Sequence, residues 1–268
     1  MEQLPFNLAD SVANLLVATS AFQLIAFYSN FSNFVGARAI TGSPKTELLK
    51  QRKLVLLVDL DHTMLHTTSL DFKGQYEEDV FNFESGRRRY TVKLRPNHKR
   101  FLATMSVYFE LHVVTKAKRD YAEAVLELLD PEKRFFGNRI LSREQIPGGD
   151  KFAAMRKLFP DGHEHVLAID DTSSVWGFML NQYRIPKFSF FGSVEDPFAP
   201  WAYERAGARR DEALVEAERY LLDVHAKFFA HYEMAQMRST SEICSETEMG
   251  QQIARLAQKA ERRNENSE

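Results

Sequence analysis

The sequence predicts an α/β fold in which a parallel sheet is flanked by helices. Three observations predict it. Short apolar runs alternate with stretches of helical spacing, the pattern of strand–helix–strand crossovers. The run Leu54-Val55-Leu56-Leu57-Val58 is apolar throughout, as a strand buried on both faces must be. That run ends in Asp59 and Asp61, spaced i, i+2, and a second run, His165 to Ile169, ends in Asp170 and Asp171. Ligands of open α/β sheets bind in the crevice beyond the carboxyl ends of the strands.

Each element follows from local chemistry. Residues 1–45 read as an N-terminal extension, partly helical, closed by the turn signal Thr41-Gly42-Ser43-Pro44. The first strand follows. Tyr76 to Leu94 alternates in polarity and is broken at Ser85-Gly86, which predicts a small β-hairpin inserted after the acidic pair. Pro96 opens a helix to about Ser106. Phe109 to Thr115 is a second core strand, and Arg119 to Leu129 a helix stopped by Asp130-Pro131. Arg139 to Leu141 forms a short strand. Asp150 caps a helix over Lys151 to Phe159. His165 to Ile169 is the third core strand and Lys187 to Phe191 a fourth. Leu214, Ala217, Leu221, Val224, Phe228 and Tyr232 have helical spacing within a C-terminal helical segment, 196–238. Residues 239–268 read as a polar, mobile tail with a turn or more of helix near Ile253 to Ala260.

Bulk properties exclude several classes. The 268 residues are 44% hydrophobic and 27% charged, enough for a sizeable core. A net charge of -2 gives direct nucleic-acid binding no support. The single cysteine, Cys244, rules out an internal disulfide and fits a reducing compartment; it lacks the arginine loop of a cysteine-based phosphatase. Val12 to Phe31 is apolar and about long enough for an anchor, but polar residues such as Asn14, Gln23 and Asn30 dilute it. It reads as a packed or partner-binding helix rather than a membrane span. No histidine or cysteine spacing indicates zinc.

Two carboxylates at one strand end repel each other unless a cation lies between them or one holds a proton. Both conditions suit magnesium-assisted phosphoryl transfer. The order acid pair, Thr115, Lys151, acid pair is that of the haloacid dehalogenase superfamily, and the Asp59-Leu60-Asp61-His62-Thr63 spacing argues against receiver domains. Lys93-Leu94-Arg95-Pro96, Phe136 to Arg143, Leu158-Phe159-Pro160 and Ile169-Asp170-Asp171 with Val175-Trp176 extend the likeness. Over about residues 46–192 the chain resembles the FCP-type phosphatases of the RNA polymerase II C-terminal domain, which implies a catalytic domain at 46–195. The fold this implies is a haloacid-dehalogenase-like (Rossmannoid) sheet with no large cap domain.

The resemblance implies a magnesium-dependent protein-serine/threonine phosphatase. Asp59 would be the nucleophile and Asp61 the general acid–base; Thr115 and Lys151 would hold the phosphoryl oxygens, with Lys157 the rival to Lys151. Arg95 either contacts phosphate or pairs with a structural acid. Asp59 and Asp171 are the leading side-chain ligands of Mg2+, Asp170 is the alternate, and Asp61 contributes its backbone carbonyl. Thr63 is a further candidate. Thr172, Ser174 and His62 depart from the pattern of the resembling family, which usually has Arg, Asp, and Gln or Asn there. The implied substrate is a phosphopeptide, the polymerase heptad repeats, and the implied place is the nucleus. Two alternatives stand beside this reading: a membrane-linked relative acting on another phosphoprotein, and a non-catalytic phosphatase-like subunit of mitochondrial import.

Overall fold

The computed structural model describes residues 43–69, 78–191, 211–233 and 240–265, all within one compact unit, Gly42–Glu268. Almost all of the N-terminal extension, including the apolar run at 12–31, lies outside the described residues. Among the described residues no helix is long and apolar enough to cross a membrane.

The chain enters through a short helix, α1 (Lys45–Lys50), and runs into β1 (Leu54–Val58). All five residues of β1 are fully buried, which explains why none is polar. β1 lies at the centre of a five-stranded sheet, flanked by β5 (Phe109–Val114) and β7 (Val166–Asp170), both parallel to it. β6 (Ile140–Leu141) and β8 (Gln182–Arg184) form the two edges. Val58 is in register with Val113 on one side and Ile169 on the other. The carboxyl ends of the three central strands therefore open side by side, and residues 59, 115 and 170 meet there.

A second, antiparallel sheet is inserted between β1 and β5. Its order is β2 (Leu65–Thr68), β4 (Arg88–Leu94), β3 (Val80–Ser85). Gly86 opens the two-residue hairpin loop with a φ of +61°, a conformation that suits glycine. The helices α2 (His98–Tyr108), α3 (Arg119–Leu129) and α4 (Lys151–Leu158) connect the core strands. The long helix α5 (Ala213–Glu233) packs on α2 and buries Leu214, Ala217, Leu221, Val224 and Phe228 in the main core.

Two expectations need correction. The fourth strand is Gln182–Arg184, not Lys187 to Phe191. Gln182 pairs with Ala168, and Pro186, which has no N–H, follows soon after the strand ends. Phe188, Phe190 and Phe191 instead bury as a separate cluster. Residues 240–265, read from their polarity as part of a mobile tail, are largely helical. They contain α6 (Thr240–Ser245) and α7 (Glu248–Glu265). α6 packs on α5, α7 on α6 and β8, and Ile243, Cys244 and Ile253 are buried. Gly250 lies too close to the Cys244 carbonyl for any Cβ, so glycine lets the two helices meet.

Candidate active site

The site begins where β1 stops. Asp59 is held in line with the sheet because its N–H donates to the Ile169 carbonyl (3.1 Å). Its carboxylate accepts from the ammonium of Lys151 (2.5 Å), which also donates to Asp170 at the end of β7 (2.6 Å). Lys151 is the first residue of α4, whose cap Asp150 accepts from the Ala153 N–H (2.9 Å). All three charged groups are buried. Asp170 is further fixed by the indole N–H of Trp176 (2.8 Å) and the N–H of Thr172 (2.8 Å). Trp176 thus orients a carboxylate from the core, and Thr172 contributes its backbone.

Asp171 is half-buried and carries the third carboxylate of the group. Its N–H donates to the hydroxyl of Thr63 (3.2 Å), so Thr63 positions the acid turn and does not line the cleft. Oxygens of Asp59, Asp170 and Asp171 lie within 4.8 Å of one another. Three hard oxygen donors of this kind fit a magnesium ion, which keeps water on its remaining positions. The carboxylate of Asp61 lies outside that group. It accepts from the phenol of Tyr121 (2.6 Å), which is also bonded to the hydroxyl of Thr67 (2.7 Å). Thr115 is buried at the end of β5, and its hydroxyl accepts from the N–H of Ala117 (3.1 Å). The hydroxyl proton of Thr115 is not used by that bond, and the residue lines the cleft.

Charge is unbalanced on the cleft floor. Four carboxylates, Asp59, Asp61, Asp170 and Asp171, face one ammonium, Lys151. Burial, with Asp170 beside it, pushes the Asp59 carboxyl up to about 8 despite the lysine. Burial also raises Asp61, against the Tyr121 hydrogen bond. Burial pulls the Lys151 ammonium down, but Asp59 and Asp170 outweigh it and hold the group above its ordinary value. A cleft of about 760 Å³ opens over these groups.

Of the two readings open for Arg95, phosphate contact or pairing with a structural acid, the structure shows the pairing. Arg95 is 1% exposed and does not line the cleft. Its Nε donates to both oxygens of Asp211 (3.1 Å each), Nη1 to the Thr63 carbonyl (3.0 Å) and Nη2 to the Pro186 carbonyl (2.9 Å). The guanidinium is therefore a structural clamp and not a phosphate contact. Lys157 is exposed on α4, away from the cleft that Lys151 lines. Tyr121 is the residue that sequence reasoning missed. Its one signal was position: it lies in the first turn of the helix that follows Thr115.

The family of NLI interacting factor-like phosphatases matches residues 54–198. The chain belongs to this family. An RNA polymerase II C-terminal domain phosphatase of Caenorhabditis elegans is 36% identical over 217 residues, covering 77% of this chain and 32% of that protein. The human protein of the same description is 40% identical over 156 residues, 57% of this chain and 16% of that one. The chain thus spans a third or less of these relatives. The structure of Fcp1, an essential RNA polymerase II CTD phosphatase, matches with a TM-score of 0.60 at 23% identity, over 74% of this chain and 71% of that one. The fold of the family member described here is accordingly haloacid-dehalogenase-like.

Proposed function

We propose that this chain is a magnesium-dependent protein-serine/threonine phosphatase that acts through a phosphoaspartate on Asp59. The observation that carries the reading is the pairing of a buried strand-end carboxylate with a lysine that spans to a second acid, in a cleft open to solvent. The relatives described as polymerase C-terminal domain phosphatases support phosphorylated heptad repeats as substrate, and hence a nuclear place of action. The retained acids, threonine and lysine favour this over a non-catalytic role in mitochondrial import.

Asp59 attacks phosphorus in line. A bond forms between its carboxylate oxygen and phosphorus as the bond from phosphorus to the seryl oxygen breaks. Asp61 gives its proton to that seryl oxygen. In the second step water attacks the phosphorus, Asp61 takes back a proton, and the aspartyl–phosphorus bond breaks to release inorganic phosphate. The raised proton affinity of Asp61 suits this exchange. Tyr121 holds one oxygen of Asp61 and leaves the other for the proton. Lys151 has three donors and gives two to Asp59 and Asp170, so one remains for a phosphoryl oxygen. The Thr115 hydroxyl supplies another donor. A magnesium ion held by Asp59, Asp170 and Asp171 would neutralise charge between the carboxylates and the phosphoryl group.

The test is hydrolysis of singly phosphorylated heptad peptides by wild type and Asp59→Asn, with and without magnesium. The reading requires magnesium-dependent release of phosphate from wild type and none from the variant. Phosphate release by a folded Asp59→Asn protein at the wild-type rate would overturn it.

A further inference from the structure

The floor of the cleft is acidic, but its rim is basic. Arg87 and Arg88 lie at the hairpin tip, and Lys116, Lys118 and Arg143 lie in the segments that follow β5 and β6. All five are exposed, and Asp120 is the one rim carboxylate among the described lining residues. Neighbouring cations are already used. Arg89 pairs with Glu84 across the hairpin (2.9 Å), and Arg119 pairs with Glu123 (2.6 Å). Arg87, Arg88, Lys116 and Lys118 make no ion pair among the described residues. Five like charges against one rim carboxylate repel each other on balance, so this rim gains from an added anion.

Both basic segments are held in place. Phe83 and Tyr90 of the hairpin stack at 5.3 Å, and each meets the ring of Tyr121 on α3, at 5.6 and 5.4 Å. The hairpin tip is thereby fixed to the same residue that orients Asp61. In the other segment, Arg143 Nε donates to the Lys116 carbonyl (2.7 Å), and its N–H donates to the Ala117 carbonyl (2.8 Å). A site whose walls are fixed beforehand loses little order on binding.

We propose that this rim is a second anion subsite for the substrate peptide, and that it takes a further phosphoserine on the same chain as the one being hydrolysed. The inference rests on the phosphatase reading and deepens it. The scissile phosphate is committed to Thr115 and Lys151 on the floor. A peptide that continues from it out of the open cleft passes these basic segments at the rim. A phosphoserine carries about -1.5 to -2 charge near neutral pH and accepts several charge-assisted hydrogen bonds. Each exposed contact is weak, so discrimination requires several of these cations to act together. The chain would then prefer densely phosphorylated repeats over isolated phosphoserines.

Binding to the full-length Asp59→Asn protein tests this without turnover. Fluorescence anisotropy compares a doubly with a singly phosphorylated heptad peptide of equal length. The doubly phosphorylated peptide should bind about tenfold tighter at low salt, and the ratio should shrink as salt rises. Adding Arg87→Gln with Arg88→Gln, or Lys116→Gln with Lys118→Gln, should cut the ratio below about threefold. Adding Arg156→Gln with Lys157→Gln, an equal charge loss on the exposed face of α4, should leave it intact. Equal affinity for the two peptides, an unchanged ratio in both rim variants, or the same loss in the α4 control would overturn the subsite. Failure of wild type to hydrolyse any phosphopeptide would sink the catalytic reading, yet the binding ratio would still decide this one.

Discussion

Two of the cations that the fold buries, Lys151 and Arg95, face carboxylates and do opposite things. Lys151 faces Asp59 and Asp170 at the cleft floor, with Asp61 and Asp171 beside them. Arg95 faces Asp211 beneath the acid turn. The Arg95 cluster is balanced in charge. One guanidinium meets one carboxylate, its other donors reach two carbonyls, and Asp211 also accepts from the N–H of Ala213 (3.0 Å). The Lys151 cluster is unsaturated, with one cation against four acids. Charge surplus at an open surface marks a place that waits for a ligand. Charge balance in the interior marks scaffold. Residue type alone does not separate them, which is why the sequence left both a phosphate contact and a structural ion pair open for Arg95.

The contrast between the two cations can be broken in four ways. Asp59→Asn should lower turnover by at least about 10³-fold. Its metal-free melting temperature should equal or exceed that of wild type, because a repelled buried carboxylate is removed. A folded variant that keeps a tenth of the turnover would end the distinction. Next, Lys151→Met should cost about 10²-fold or more in turnover. Arg95→Lys, by contrast, should destabilise by roughly 2–4 kcal/mol through loss of the forked contacts. Its folded fraction should keep kcat/KM within about threefold, as read by urea unfolding beside initial rates. A selective loss of turnover in folded Arg95→Lys would move Arg95 back into the site. Third, Tyr121→Phe should lower kcat about tenfold with little change in melting, since it frees Asp61 without emptying the core.

The fourth test is pH dependence in metal-free protein. The folded Asp59 carboxyl holds its proton up to about 8, whereas the unfolded one releases it near 3.8. The proton-linked stability is therefore fully present below about pH 3.8 and is lost as pH rises to about 8. Unfolding free energy of wild type should fall relative to Asp59→Asn across that window. A constant difference would show that the floor is not short of positive charge.

Much of the core site was legible because buried parallel strands advertise themselves. The apolar runs before Asp59 and Asp170 fix the strand ends, and parallel register brings them together. Lys151 was legible from its place at the start of a capped helix. Tyr121 was not, because its partner Asp61 is 60 positions away in sequence. The edge strand Gln182–Arg184 has only three residues and no apolar run; its pairing comes from β7 and not from its own composition. Lys187 to Phe191 looks more like a strand, but its aromatics are drawn to the histidines behind the acid pair. The Phe190 and Phe191 N–H groups both donate to Nδ1 of His66 (2.8 and 3.1 Å). The C-terminal helices were hidden by averaging, since a few buried side chains such as Ile243 and Ile253 sit among many charged ones.

Those helices have a practical bearing on how short the folded chain can be made. Thr240 donates its N–H to the Glu164 carbonyl (2.7 Å) and its hydroxyl to the Val166 carbonyl (2.9 Å), at the very start of the strand that ends in Asp170. Leu221, Val224, Phe228 and Ile243 complete the same apolar seam. The family match stops at residue 198. A fragment trimmed there for screening would bare that seam and aggregate, so the minimal folding unit reaches past Ile253.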